Sequence, residues 1–283
     1  MHKKQLLALY GLKWNPFTPD VPIEGLVPTP RLDSFLTRIE TMVHDGGFAL
    51  VTGDPGCGKS VTLRLLEARL AELPEVAVGI LARPQSGLAD FYRELGELFR
   101  VDLKPHNRWG GFKMLRERWR AHAEVSLLKP VLLVDEAQEM ASAVLSELRI
   151  LSSGPFDAVT YLTVVLAGDS RLADSFRRPD LLAVGSRIRT RLLLDYAPPD
   201  ELRAVLAHAI QKAGAPQLLT ERLQGVMVEH AAGNFRVLMT MAGELLMAAC
   251  ERELPKIDEK LFLELYQERS STRRAPGRRP VKG

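Results

Sequence analysis

The segment Gly53-Asp54-Pro55-Gly56-Cys57-Gly58-Lys59-Ser60 matches the pattern G-x-x-x-x-G-K-[ST], which is typical of a phosphate-binding loop. A loop that wraps a polyphosphate with backbone N–H groups needs glycines where a side chain would collide with the ligand. The following helix points its N-terminus at the phosphates. Lys59 is therefore predicted to reach the β- and γ-phosphates, and the Ser60 hydroxyl to ligate Mg²⁺. The predicted binding run extends from Gly53 through Val61, and its expected ligands are ATP and Mg²⁺.

A second motif supplies the acidic groups that such a site needs. In Val131-Leu132-Leu133-Val134-Asp135-Glu136, an apolar run typical of a buried strand ends in two carboxylates. Asp135 is predicted to hold Mg²⁺ through water, and Glu136 to orient and polarise the attacking water. Glu136 indicates an ATPase that converts ATP and water to ADP and phosphate, rather than a protein that only binds the nucleotide.

Short apolar runs alternate with helical patterns over the first two thirds of the chain. This alternation predicts an α/β fold, a parallel sheet flanked by helices. The expected strands are Phe48–Thr52, Val76–Leu81, Val131–Val134, Tyr161–Ala167 and Leu192–Leu194. After Pro198–Pro199 the periodicity is only helical, which predicts a small all-α lid domain in which Asp200 and Thr220 are helix N-caps.

These patterns divide the chain into four predicted segments. Residues 1–30 form a proline-rich, extended N-terminal arm, and residues 31–197 the α/β nucleotide-binding domain. Residues 198–269 form the helical lid, and residues 270–283 a basic, disordered tail.

Composition excludes several classes of protein. Hydrophobic residues make up 46% of the 283 residues and charged residues 26%, so the chain is neither disordered in bulk nor too small for a core. The two cysteines do not form a disulfide framework, and the six histidines show no metal-ligand spacing. An apolar run long enough to span a membrane is not found. We therefore expect a cytoplasmic protein that makes no membrane contact.

Two arginine-containing segments point to an assembly of several subunits. The run Ser186–Arg191 leads into the last strand, and an arginine there can act as a finger on a neighbouring subunit's γ-phosphate. Arg187 is favoured over Arg189 and Arg191. Arg236 follows Gly233-Asn234-Phe235 at the start of a lid helix, where a cation is unfavourable unless an anion lies near, so it is predicted to reach the nucleotide.

The chain resembles an AAA+ ATPase, because the phosphate loop, the acidic pair and the two arginine segments follow one another in the order typical of that family. The resemblance covers roughly Leu9–Gln267. Tyr10-Gly11-Leu12-Lys13-Trp14-Asn15-Pro16-Phe17 resembles the opening of ExeA-type ATPases, the general secretion pathway protein A group, and Gly46-Gly47-Phe48 also fits that group. Membrane-anchored ExeA-type proteins carry a transmembrane helix and a peptidoglycan-binding region after the ATPase, and this chain shows neither. Shorter relatives are similar to transposition helper ATPases of the TnsC, TniB, IstB and Mu B types.

The resemblance also implies a sensor residue after the fourth strand, at Gly168-Asp169. That position usually holds a neutral polar residue that hydrogen-bonds the γ-phosphate or the water, whereas this chain has Asp169 followed by Ser170. Two alternatives stay open: Asp169 is turned away, or Ser170 takes the role.

Two basic clusters favour DNA as a partner. The tail holds five cations and no acid, which can pair with phosphates without reading bases. The second cluster interleaves cations with Trp109 and Trp119, beside a Gly110-Gly111 pair of mobile-loop composition; its cations are Lys104, Arg108, Lys113, Arg116, Arg118 and Arg120. The alternative is an amphipathic helix that packs Leu115 and Trp119 inward and leaves its charges solvated.

The resulting interpretation is an ATPase that assembles on DNA in the ATP state, as a homo-oligomer, and recruits or activates a transposase. One alternative is an ExeA-type ATPase of envelope or secretion assembly that does not bind DNA. Another is an ATP switch that hydrolyses weakly, for which Asp169 is the support. Subunit number, ring or filament geometry, DNA sequence preference and partner identity stay open.

Overall fold

The computed structural model describes residues 3–101, 108–121 and 128–272. The chain divides into two compact units. One unit is Pro28–Asp195, and the other combines Met1–Val27 with Tyr196–Gly283. Lys104 and the arginines of the tail lie outside the described residues.

The unit Pro28–Asp195 is built on five parallel strands in the order β2-β3-β4-β1-β5. The strands are β1 (Gly47–Gly53), β2 (Val76–Leu81), β3 (Lys129–Val134), β4 (Thr163–Gly168) and β5 (Ile188–Leu194). Strands β1 and β4 are buried along their whole length, which explains their continuous apolar sequences. The predicted α/β fold with a parallel sheet and flanking helices is confirmed.

Helices cover this sheet. They are α2 (Pro30–Asp45), α3 (Lys59–Leu70), α4 (Leu88–Leu98), α5 (Arg108–Ala121), α6 (Ser142–Ser152), α7 (Ser170–Ser175) and α8 (Leu182–Gly185). Helix α2 begins at Pro30 because the Thr29 side chain accepts the N–H of Leu32 and caps it. Gly46, at φ 68°, ends α2 and turns the chain into β1.

Strand β5 is longer than the expected Leu192–Leu194. It begins at Ile188, so Arg189 and Arg191 lie within the strand rather than before it. Their side chains alternate with less exposed ones, and β5 is an edge strand. Exposed charges are common on edge strands because they discourage pairing with other chains. Because exposed arginines alternate with less exposed residues, the first half of β5 is not an apolar run, and the sequence pattern did not indicate a strand there.

The other unit is helical. It contains α1 (Lys3–Tyr10), α9 (Pro199–Lys212), α10 (Glu221–Ala231), α11 (Phe235–Glu251) and α12 (Glu259–Thr272). Thr220 caps α10 as predicted, since its hydroxyl accepts the N–H of Leu223. The prediction for Asp200 was wrong: α9 has Pro198 at its N-cap and Pro199 at its first position, and Asp200 lies in the first turn.

The N-terminal segment is not an extended arm, which corrects the expectation for residues 1–30. Its prolines begin only at Pro16, so Lys3–Tyr10 is free to form α1. Leu6, Leu12 and Phe17 are buried in the core of the helical unit. The segment is also tied down by polar contacts. Lys13 donates its backbone N–H to the carbonyl of Ala213 (2.8 Å), and the Tyr10 hydroxyl donates to the carbonyl of Leu254 (3.0 Å). Burial raises the pKa of Tyr10 to about 12.

Helix α5 confirms the alternative of an amphipathic helix and corrects the interpretation of Gly110-Gly111 as part of a mobile loop. Both glycines lie inside the helix, whose Leu115 and Trp119 are fully buried against the sheet unit. Among the described residues, none of the helices is both long enough and apolar enough to cross a membrane.

We predict that the N-terminal segment contributes to the stability of the helical unit. Leu12→Ala removes a side chain that is only 6% exposed, which should lower the free energy of unfolding by about 2–5 kcal/mol. Leu9→Ala is the matched control, because Leu9 is 44% exposed and its truncation should cost less than about 1 kcal/mol. Urea denaturation followed by circular dichroism measures both. Equal stability of the two variants would contradict the described packing.

Candidate nucleotide-binding site

The phosphate loop directly joins the end of β1 to the start of α3. Gly56 and Gly58 adopt φ of 89° and 100°, a conformation that glycine takes without strain. Cys57 donates its N–H to the carbonyl of Asp54 (3.2 Å), and α3 starts at once with Lys59. At Gly53 a Cβ would lie 2.5 Å from the carbonyl oxygen of Leu194 in β5. The pattern's glycines are thus explained by backbone conformation and by close packing of β1 on β5.

The ammonium group of Lys59 occupies the inside of this loop. The residue is 7% exposed, and its Nζ donates to the carbonyls of Gly53 (2.8 Å) and Asp54 (3.2 Å). A buried ammonium group needs strong hydrogen-bond acceptors. The two backbone carbonyl oxygens accept its hydrogen bonds but carry no net negative charge to balance its positive charge. An anion entering the loop would supply a better partner for the same charge.

Ser60, in the first turn of α3, meets Asp135, which directly follows β3. The Ser60 hydroxyl donates to Asp135 Oδ2 at 2.6 Å. Strand β1 pairs with β4 and β4 with β3, all parallel, so their carboxyl ends lie at one edge of the sheet. A hydroxyl and a carboxylate side by side are oxygen ligands of the kind Mg²⁺ prefers, so these residues fit that ion. Elsewhere in the described chain, no group of three or more His, Cys, Asp or Glu side chains could hold a metal.

Glu136 has an uncommon backbone conformation directly after Asp135. Its φ of 51° and ψ of 38° place it in the left-handed region, which a residue with a side chain enters at a cost of about 1–3 kcal/mol. Its backbone N–H donates to Asp135 Oδ1 at 2.9 Å, which accounts for part of that conformation. The turn directs consecutive carboxylates to different partners: Asp135 to Ser60, and Glu136 to Gln138.

Gln138 is a site residue that the sequence analysis missed. Its Nε2 donates a short hydrogen bond to Glu136 Oε2, and its Oε1 accepts the backbone N–H of Asp169 at 3.2 Å. The amide therefore links the Glu136 carboxylate to the end of β4. Gly168 makes room for it, because a Cβ there would lie 2.5 Å from Gln138 Oε1. In the sequence, Gln138 is a glutamine two residues after Glu136. The pattern of apolar and polar residues around it is the same as for an ordinary surface residue, so it did not indicate a site residue.

Asp169 is occupied by structural contacts. Its side chain caps α7 by accepting the N–H of Arg171 (2.9 Å), and it also pairs with the Arg171 guanidinium (2.8 Å). The hydrogen bond from the Arg171 side chain lowers the pKa of Asp169 below its usual value, against the opposing effect of partial burial. This arrangement supports the alternative in which Asp169 is turned away; which residue acts as a sensor stays a prediction.

Arg187 lies at the opposite end of β5 from the phosphate loop, whereas Arg189 and Arg191 lie within the strand. Phe48 pairs with Ile188 and Gly53 with Leu194, so β5 runs from the start of β1 to its end. Arg187 precedes β5, and its guanidinium donates to the carbonyl of Ala183 at 2.6 Å. Seven strand residues at roughly 3.3 Å each put Arg187 about 20 Å from the loop of its own chain. A role for Arg187 on phosphate therefore requires the phosphate of another subunit.

Arg236 and Cys57 are two further residues of the predicted site. Arg236 is the second residue of α11, in the helical unit, and is exposed; its contact with nucleotide stays a prediction. Cys57 occupies a position of the loop pattern that is not restricted to one residue type. The residue is only 3% exposed, and burial raises the pKa of its thiol, which disfavours the reactive thiolate.

Comparisons with known proteins show what the chain is similar to. Residues 41–176 match the family described as "AAA domain", a range that includes the phosphate loop, the acidic pair and Gln138. The chain is 29% identical over 254 residues to general secretion pathway protein A of Aeromonas hydrophila. That match covers 88% of this chain but 45% of the relative, so the chain spans about half the relative's length.

Solved structures show the same fold at low sequence identity. Cdc6p from Pyrobaculum aerophilum superposes with a TM-score of 0.71 at 16% identity, over 89% of this chain and 70% of that one. The Aeropyrum pernix ORC1 protein, solved in complex with DNA, superposes with a TM-score of 0.65 at 17% identity, over 91% of this chain and 68% of that one.

Proposed function

We propose that this chain binds ATP with Mg²⁺ and hydrolyses it to ADP and phosphate. The observation that carries the proposal is the Ser60–Asp135 contact at 2.6 Å, beside an ammonium group held inside the loop by backbone carbonyls. Loop, cation and carboxylates lie where parallel α/β sheets bind their ligands, at the carboxyl ends of the strands.

In this proposal each side chain has one task. Lys59 exchanges its carbonyl partners for β- and γ-phosphate oxygens, and Ser60 and Asp135 hold Mg²⁺, Asp135 through water. The ion neutralises the charge that develops on the phosphates. Glu136 orients a water for attack on the γ-phosphorus, and the bond to the β-phosphate oxygen breaks as the new bond forms. Gln138 keeps the Glu136 carboxylate in position through the amide link to β4.

We further propose that the chain is an AAA+ ATPase of the ExeA-like group that works as a homo-oligomer. The match over residues 41–176 and the 29% identity to general secretion pathway protein A support the group. The distance of Arg187 from its own loop supports an interface in which it completes a neighbour's site. Arg236 is proposed to respond to the same nucleotide from the helical unit.

DNA is the proposed target of the ATP-bound assembly, which then recruits or activates a transposase. The supporting observations are the five cations of the tail, the exposed Lys113, Arg118 and Arg120 of α5, and a protein of similar fold solved with DNA. The competing candidate is ATP-driven envelope or secretion assembly without DNA. Its support is the identity to general secretion pathway protein A over most of this chain.

Fluorescence anisotropy on a mixed-sequence duplex separates these two targets. The measurement uses a slowly hydrolysed ATP analogue, ADP or no nucleotide, each at two salt concentrations. The DNA proposal expects binding only with the analogue, weakening with salt by a log–log slope of roughly 0.9 for each phosphate contacted. Absence of binding in every state would favour the envelope candidate.

We predict that the two motifs separate binding from turnover. Lys59→Ala should abolish ATP binding, because the loop loses the cation that meets the phosphates. Glu136→Gln should bind ATP normally but release phosphate about 10²–10⁴-fold more slowly, since an amide cannot act as a base. Calorimetry and a phosphate-release assay measure the two steps. Unchanged turnover in Glu136→Gln would refute the role of that carboxylate.

Gln138 should affect turnover without affecting binding. Gln138→Ala removes both hydrogen bonds of the amide, so we expect kcat to fall about 10- to 100-fold while KM for ATP stays within a factor of about two. Gln138→Glu should be no better, because a carboxylate cannot donate to Glu136. If Gln138→Ala instead retains wild-type kcat, the amide link does not position Glu136.

A mixing experiment tests whether Arg187 acts between subunits. Arg187→Ala alone should lose about 10³–10⁵-fold in turnover. Mixing the Arg187→Ala protein with the Lys59→Ala protein should restore turnover. The Arg187→Ala subunit binds ATP, and the neighbouring Lys59→Ala subunit, which binds no nucleotide, supplies Arg187. Arg177→Ala is the control, since Arg177 is exposed and pairs locally with Asp174. Mixtures that remain as inactive as their components would argue against Arg187 as the finger.

A further inference from the structure

A short hairpin between α6 and β4 carries an aromatic side chain into solvent. Ser153 and Thr160 form an antiparallel bridge, and Gly154 donates its N–H to the carbonyl of Val159 at 2.7 Å. At the tip Phe156 has a φ of 53° and a fully exposed side chain. A bulky residue at positive φ is strained, and a ring in water gains no burial in return. The packing of this unit alone does not account for an aromatic residue there.

Helix α5 presents a second exposed ring beside this hairpin. Trp109 is 75% exposed and stacks in parallel on Phe112, with ring centres 5.8 Å apart and planes within 10°. The Arg116 guanidinium lies 5.2 Å from the centre of Phe112 and 5.8 Å from that of Tyr161. Arg116 also donates to the carbonyl of Ser153 at 2.6 Å, which joins the helix to the hairpin. Three rings and one planar cation thus form a connected set of flat surfaces.

These groups enclose a groove of about 210 Å³. We call it the aromatic groove, and its lining includes Trp109, Phe112, Lys113, Arg116, Pro155 and Tyr161. Arg120 and Glu117 also line it, so cations outnumber the carboxylate by three to one. Lys113 and Glu117 are both largely exposed and 3.8 Å apart, a pair too weak to hold the lysine against a competing anion.

We propose that the aromatic groove binds single-stranded nucleic acid, with one base stacked on Trp109 and phosphates beside Lys113 and Arg116. Phe156 does not line the groove but directly follows its lining residue Pro155, and a second base is proposed to stack there, at the hairpin tip. Exposed ring faces interleaved with cations are what unpaired nucleotides require, because every base has a flat face and every linkage a negative charge. Duplex DNA hides its base faces inside the helix, so it can use the cations but not the rings. The groove shares no residue with the phosphate loop or the acidic pair, and the proposal goes beyond ATP hydrolysis without depending on it.

The test uses the intact chain and a fluorescein-labelled oligothymidylate, without nucleotide and with the slowly hydrolysed ATP analogue. A mixed-sequence duplex with the analogue is the comparison. Trp109→Ala and Phe156→Ala should each weaken single-strand binding about ten-fold, within the range for loss of one stacked base, and leave duplex binding within about two-fold. Trp109→Phe keeps a ring and should retain most of the affinity. Met114→Ala is the matched control, since Met114 is exposed on the same helix and is not among the groove residues.

Two additional readouts separate stacking from general attraction. Trp109 emission should be quenched by the oligonucleotide. Trp109→Phe should lose this quenching, because Trp119 is fully buried and Trp14 packs against the core of the helical unit. Lys113→Ala should weaken binding more than Arg118→Ala, whose side chain is exposed on α5 but is not among the groove residues. Basal phosphate release should be the same in all these variants and the wild type, so failure of the groove is distinguishable from failure of the ATPase.

Three results would overturn the proposal. The first is the absence of single-strand binding by the wild type. The second is binding that Trp109→Ala and Phe156→Ala leave unchanged. The third is binding of an acidic peptide that Trp109→Ala and Lys113→Ala weaken, while the same variants bind DNA as tightly as the wild type does. That result would assign the groove to a protein partner.

Discussion

The hydrogen bond between Ser60 and Asp135 is the contact on which the candidate site depends. It joins the first residues of α3 to the end of β3, two strands away from β1, and it exists only because β1, β4 and β3 run parallel in register. The same edge of the sheet holds Glu136, and through Gln138 it reaches the end of β4. A displacement of any one strand end would therefore separate the cation, the hydroxyl and the carboxylates together. This coupling explains why the strands are buried so completely on both faces: a rigid core fixes atoms that must meet within hydrogen-bond distance.

The sheet also sets the distance on which the proposed site shared between subunits rests. The two ends of β5 define opposite sides of the unit: Leu194 packs against the phosphate loop, and Arg187 lies before the other end. The network Glu136–Gln138–Asp169–Arg171 runs along the first side and ends in the pair between Arg171 and Glu139 at the surface. The proposed account thus assigns water activation to one subunit and charge stabilisation on the γ-phosphate to its neighbour. The aromatic groove belongs to different elements, α5 and the hairpin before β4, and serves a different ligand.

Much of this arrangement could be predicted from the sequence, for physical reasons. The phosphate loop has a strict glycine pattern because its backbone conformation excludes side chains, and apolar runs identify strands buried on both faces. What the sequence did not indicate depends on contacts between distant residues. Gln138 matters only because Gly168 leaves space for it, and the first half of β5 is hidden by exposed arginines. The helix at Lys3–Tyr10 forms because Leu6 and Leu12 find a core contributed by residues beyond 196, which local propensity cannot show. Helix α5, by contrast, was among the sequence alternatives, because the spacing of Leu115 and Trp119 places both side chains on one helix face.

The most direct test of the central claim is steady-state phosphate release by the purified wild-type chain, with ATP and Mg²⁺, over a wide range of protein concentrations. If the site is complete only when a neighbour contributes Arg187, turnover per subunit should be low in dilute solution and rise steeply as subunits associate. Removal of Mg²⁺ should abolish it at every concentration. Turnover per subunit that stays constant with dilution would contradict the shared site, and absence of phosphate release at any concentration would contradict the ATPase itself.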